Sequence, residues 1–90
     1  MRLVWRRMAL KDRFRIMEHI SQDNPAAAIL LDETFREKAR RAAQTPALYK
    51  MGRYPGTREI VVKPNYVMIY RRVDSCVEIV RILHARQQWP

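Results

Sequence analysis

Between Arg58 and His84 three apolar runs are separated by very short breaks, at Pro64-Asn65 and at Asp74-Ser75. A crossover between parallel strands needs a dozen or more residues, so breaks this short force each run to fold back on the one before it. The runs are Arg58–Lys63, Tyr66–Val73 and Val77–His84, rich in Val, Ile and Tyr. Such residues suit a pleated, half-buried surface. An antiparallel three-stranded meander is the expected C-terminal half of the chain.

The N-terminal half has a different period. Leu3, Val4 and Trp5 form a short apolar start that reads as a first strand. From Ala9 to Gln22, Leu10, Phe14, Met17 and Ile20 recur at helical spacing and are expected to face the core. Asn24 before Pro25 is a helix start, since Asn caps free amides and proline is tolerated at the first helical position. The second helix is expected to run to about Ala43, with Ala28, Leu31, Phe35, Ala39 and Ala42 on its inner stripe. The stretch TPALYKMGRYPGT, Thr45 to Thr57, holds both glycines of the chain and two prolines, and reads as a loop. Gly56 is expected to serve a turn and not a phosphate cradle, because no helix follows it.

The expected fold is therefore α+β, in the order β-α-α-β-β-β, with a two-helix hairpin packed on an antiparallel sheet. Ninety residues make one domain, residues 1–90. No apolar run approaches a membrane span of about 18 residues, and MRLVWRRM lacks the apolar core of a signal peptide. No membrane association and a cytoplasmic location are expected. Cys76, the only cysteine, excludes an internal disulfide and reads as a small core residue. His19, His84 and Cys76 have no metal-ligand spacing, and no cofactor motif is present. Ser21, Thr57 and Ser75 lack a partner for nucleophilic chemistry.

Charge narrows the partners. Eighteen basic residues against nine acidic give +9, and residues 45–90 alone carry +5. Arginine dominates, and its planar fork suits phosphate or carboxylate. Nucleic acid, an acidic protein, or both are the partners such a surface fits.

Several motifs resemble the ParE/RelE superfamily of toxins from bacterial toxin–antitoxin modules. They are Trp5, Ala9 and Asp12 in W-x-x-x-A-x-x-D, then Pro46 and Leu48, and G-x-x-P-G-T-R-E-I-V from Gly52 to Val61. Most specific are Pro64-Asn65-Tyr66 leading into V-M-I-Y-R, and I-L-H-A-R-Q-Q-W-P from Ile82 to Pro90. The resemblance covers nearly the whole chain. It implies an adjacent antitoxin, commonly with an acidic segment that folds on binding, and a toxin–antitoxin hetero-oligomer.

Within the superfamily, RelE-like members resemble ribosome-dependent ribonucleases and ParE-like members are associated with inhibition of DNA gyrase. A ribonuclease must activate a 2′-hydroxyl, stabilise phosphorane charge and protonate the leaving oxygen. Val67 stands where RelE-like sequences commonly carry an arginine, and Glu59 with aliphatic neighbours lines the preceding strand. That is a poor surface for a polyanionic transition state, so the resemblance implies the ParE-like branch, with gyrase as target and no bond broken by this chain. The alternatives are a RelE-like mRNA endonuclease acting on the ribosome, with His84, Arg86 and Arg81 as its acid–base and phosphate groups, and a non-catalytic RNA-binding module.

Target contact is expected from Arg58, Arg81, His84, Arg86, Gln87 and Trp89, with Arg53 and Tyr54 contributing from the Gly-Pro loop. Each has a plainer reading. Arg81 pairs with Glu59 or Glu78 and shares a face with Ile79 and Leu83; His84 is a hydrogen-bonded structural residue on the face of Val80 and Ile82; Trp89 folds back as an apolar lid.

Overall fold

The computed structural model describes residues 1–90. The elements are β1 (Arg2–Trp5), α1 (Arg7–Ser21), α2 (Pro25–Gln44), β2 (Lys50–Met51), β3 (Thr57–Val62), β4 (Tyr66–Val73) and β5 (Cys76–His84). The α+β class and the succession of helices and long strands are as expected. The sheet differs in two respects. It is mixed and five-stranded, in the order β1-β5-β4-β3-β2, with β1 parallel to β5. The two helices between β1 and the meander bring the chain back in the same direction, which makes a parallel edge possible. The second difference is β2, a two-residue strand inside the expected loop, antiparallel to β3 through Lys50–Glu59 and Met51–Arg58.

The meander itself, β3-β4-β5, is antiparallel. Asp74 takes φ 54° in the β4–β5 turn, a left-handed conformation that Asp tolerates better than most residues. A β-bulge at Ile69/Tyr70 leaves Val80 without a partner: Ile69 pairs with Arg81, and Tyr70 with Ile79. The extra residue reverses the alternation along β5, so Ile79 and Arg81 do not share a face, as simple alternation would require.

One face of the sheet holds the main core. Phe35, Ala39, Ala42 and Ala43 of α2 and Ala9 of α1 meet Ile60, Val62, Met68, Tyr70, Val77, Ile79 and Ile82. The alanines let α2 approach the strands closely, and Phe35 fills the space left between them. Asn24 caps α2, its Oδ1 accepting from the Ala27 N–H at 3.1 Å, with Pro25 in the first turn. The expected α2 stripe is thus the buried one, with Leu31 partly buried.

The α1 stripe is corrected. Phe14 is 69% exposed and Leu10 48%, while Ala9 and Asp12 are the buried residues of that helix. Asp12 sets the phase. β1 ends at Trp5, leaving the outer edge of β5 beyond Ile79 uncovered, and the Asp12 carboxylate accepts the Ile82 N–H there at 2.9 Å. It also receives Arg81 through Nε at 2.8 Å and Nη2 at 3.1 Å. Charge-assisted bonds outweigh the burial of two apolar side chains, and α1 turns accordingly. Arg13, next along, forks onto Asp32 of α2 with both bonds at 2.9 Å, and stacks over the Trp5 ring at 4.5 Å. Cys76, expected in the core, is only partly buried at the start of β5.

Candidate functional site

The face of the sheet away from the helices is where the C-terminal tail lies. Val67, Ile69 and Leu83 form a second buried cluster, and Trp89 packs against it. Tyr54 meets Trp89 edge-on, with ring centroids 5.7 Å apart. Beside them Glu59, 6% exposed, accepts from the Arg53 backbone N–H and Nε, both at 2.8 Å. Arg53 then donates from Nη1 to the Gln87 carbonyl at 3.1 Å. One arginine therefore ties the Gly-Pro loop, β3 and the tail together. The Arg53 hydrogen bond holds the Glu59 carboxyl below its ordinary range, against the opposing effect of burial, and Glu59 raises Arg53 in turn.

The loop that carries Arg53 and Tyr54 is closed by short bonds. Gly52 N–H donates to the Thr57 carbonyl at 2.7 Å, and Thr57 Oγ1 to the Tyr54 carbonyl at 2.6 Å. A Cβ at Gly52 would stand 2.3 Å from Thr57 Oγ1, so only glycine fits. Gly56 has φ +83° with open space beside it; its role is the turn, as expected.

Arg81 is bound to Asp12, and not to Glu59 or Glu78, which pair with Arg53 and with Arg6 and Arg71 respectively. The Asp12 hydrogen bond raises the Arg81 pKa further, against the opposing effect of burial. His84 lies at the end of β5 opposite Tyr66, its ring edge-on to that tyrosine at 6.0 Å. Its Nδ1 accepts from the Arg86 backbone N–H at 3.3 Å, and its own backbone N–H reaches Gln87 Oε1 at 3.4 Å. His84, Arg86 and Gln87 are thus gathered in one turn. Arg81 and His84 line one cleft of about 240 Å³, but the Asp12 carboxylate lines it too and neutralises the arginine.

His84 also opens onto a larger cleft of about 640 Å³, between the helix hairpin and the β3–β4 turn, with His19, Leu31, Lys63 and Tyr66 on its walls. Arg58 stands apart from the tail. Its Nη1 donates to the Tyr49 carbonyl at 2.6 Å, and it lines a cleft of about 230 Å³ with Tyr70, Arg71 and Arg72. The Tyr70 hydroxyl donates to the Pro46 carbonyl, and burial pushes its pKa up while nearby Arg58 opposes this.

Sequence reasoning missed Arg71 and Arg72 as site residues. The available signal was a pair of arginines at the end of a strand, where a meander presents side chains to solvent. It also gave Asp12 no structural task, although Asp12 belongs to the motif that opens α1. Six of the 18 basic side chains are engaged in ion pairs, so most of the positive charge is unpaired at the surface.

A helix hairpin laid on one face of a small mixed sheet, with a basic loop and an aromatic tail on the other, defines a small basic α+β protein. Residues 3–89 match the family described as the ParE toxin of type II toxin-antitoxin system, parDE. The chain belongs to the ParE toxin family. It is 34% identical over 89 residues to a protein of Sinorhizobium fredii carrying the toxin name Y4kP, covering 99% of this chain and 93% of that one. It is 36% identical over 83 residues to toxin RelE2 of Caulobacter vibrioides, covering 92% and 93%. Among solved structures it is similar to a chain of the chromosomal ParDE TA system from P. aeruginosa, with TM-score 0.83, 21% identity and coverage of 96% and 97%. That last likeness establishes the shared fold.

Proposed function

We propose that this ParE-family toxin arrests growth by binding DNA gyrase on DNA and poisoning it, breaking no bond itself, and that a cognate acidic antitoxin neutralises it. The observation that carries this reading is the state of the central strands. The face left free by the helices, where a ribonuclease would gather cationic groups around a scissile phosphate, holds Val67, Ile69 and Leu83 under Trp89. Its arginines are spoken for: Arg53 by Glu59, and Arg81 at the strand edge by Asp12. At the centre of these strands polyanionic charge has little to meet; the unpaired Arg72 stands at the far end of β4. Exposed His84 and Arg86 remain at the end of β5, suited to contact with a partner.

The unpaired basic surface supports an acidic antitoxin as partner, with fast, electrostatically steered association. Such a complex weakens steeply as salt rises. The cytoplasm, where gyrase and a co-produced antitoxin meet, is the compartment this reading requires.

The test is purified toxin with gyrase, ATP and relaxed plasmid. The expected result is loss of supercoiling and accumulation of linear, protein-linked DNA, reversed by the antitoxin. Undisturbed gyrase, together with mRNA cut on translating ribosomes, would overturn the reading in favour of a RelE-like mRNA endonuclease.

A further inference from the structure

We propose that the cleft between the Gly-Pro loop and the end of β4 is a binding site for single-stranded DNA, holding a backbone phosphate between Arg58 and Arg72 and a neighbouring base against Tyr54 and Trp89. The inference takes its biological meaning from the reading above, but the binding itself requires no gyrase.

The cleft of about 230 Å³ is lined by Arg58, Arg71 and Arg72 and by no carboxylate. Arg58 lies directly opposite Tyr70, so Arg72 is its diagonal neighbour across the strands. Diagonal pairs stand about 7–8 Å apart at their roots, a span that two guanidinium groups close around one phosphate. Arg58 is held in place by its bond to the Tyr49 carbonyl, with Nε and Nη2 still free to donate. Arg72 is exposed and has no acidic partner. Arg71 differs, since its Nε is taken by Glu78 at 2.9 Å. An arginine fixed by a backbone carbonyl, facing another with no counter-ion, is an anion site with its own electrostatics unbalanced.

A second cleft, of about 410 Å³, shares Gly56, Thr57, Arg71 and Arg72 with the first and has Tyr54, Trp89 and Pro90 on its far side. Tyr54 is 47% exposed, and its contact with Trp89 stiffens both rings. Arg58 and Arg72 belong to the helix-side face and the aromatic ledge to the tail face, and the two clefts meet round the end of β4. A strand crossing that end meets first cations and then the ledge, which is what a phosphate and its unstacked base need. A carboxylate-rich peptide would use the arginines and leave the ledge idle. A duplex would keep its bases from the ledge. Those two differences favour an unpaired strand.

The experiment is fluorescence polarisation of a labelled 12-nucleotide single strand with the full chain, over a series of salt concentrations. Arg72→Gln and Arg58→Gln are each expected to raise Kd about five- to tenfold and to flatten the log Kd–log salt slope by about 0.7 per lost phosphate contact. Arg71→Gln should have a smaller effect, and Tyr54→Ala should raise Kd with the slope unchanged. Arg36→Gln, an exposed α2 arginine outside the cleft, removes the same charge and should change Kd less than twofold. Because the Arg72 side chain has no hydrogen-bond or ion-pair partner, Arg72→Gln keeps the test valid even if Arg58→Gln loosens the loop.

Equal effects of Arg36→Gln and Arg72→Gln would reduce the site to diffuse attraction and overturn the inference. So would an RNA strand of the same sequence binding more than tenfold tighter, or an acidic 12-residue peptide displacing DNA while ignoring Tyr54→Ala. Gyrase poisoning without arginine-dependent DNA binding would sink this inference alone. DNA binding through these arginines with gyrase untouched would sink the gyrase reading alone.

Discussion

The two faces of the sheet are covered by different means. On one, a helix hairpin buries twelve core residues, with Phe35 and Tyr70 fully enclosed. On the other, a six-residue tail and a loop cover three aliphatic side chains, using one tryptophan and one arginine that ties its own loop to β3 and to the tail. Apolar burial scales with area, so the helix face supplies most of the stability. The tail face is held by polar ties that act one at a time. A partner able to compete for Arg53 or displace Trp89 can remodel the second face and leave the first intact.

The largest test of this contrast is at the edge where the helix layer meets β5. Asp12→Ala strands Arg81 and the Ile82 N–H, and is expected to cost about 3–5 kcal/mol, read as a fall in thermal midpoint of the whole domain. A loss under 1 kcal/mol would mean that Asp12 does not set the α1 phase. Next comes Gly52→Ala, whose Cβ collides with Thr57 Oγ1. Forced crowding of this kind costs roughly 1–3 kcal/mol, and hydrogen exchange should rise first in residues 50–57.

Trp89→Ala should cost about 1–2 kcal/mol, less than a fully buried tryptophan, because the side chain is only partly buried. Its effect should fall on the β4 and β5 amides of the tail face, with the helices unmoved. Uniform loosening of both faces would erase the distinction between them.

Acid acts on the tail face through Glu59. Its folded pKa lies below the ordinary 4.5, so its contribution is present above that pH and is lost as pH falls through the folded value. Tyr54–Trp89 fluorescence should change in that acid range before the helix signal is lost, and Glu59→Gln should abolish the early step. The smallest expected effect is Phe14→Ser. An exposed phenylalanine should change stability by no more than about 0.5 kcal/mol, whereas a core position would cost several times that.

These contrasts also mark what the sequence could reveal. The meander was legible because two short breaks admit only one connection, and α2 because Asn24-Pro25 and an alanine stripe agree with each other. The phase of α1 was not, since apolar spacing alone favoured Leu10 and Phe14, and the bond that decides it links residues 12 and 82. β5 hid its bulge in the same way: nothing local in Ile79-Val80-Arg81 announces an unpaired Val80. The tail's lid function could be named as one reading of Trp89, but Glu59 as the anchor for Arg53 and the loop depended on β2 and β3 pairing. Arg71 and Arg72 became site residues only when the loop folded beside them.

The most direct test of the central claim is controlled expression in bacteria, with chromosome breaks and mRNA ends mapped from the same culture. Double-strand breaks and filamentation with intact mRNA are the result the gyrase reading predicts. Transcripts cut at codon boundaries, with chromosomes whole, would contradict it and make the turn holding His84, Arg86 and Gln87 an active site.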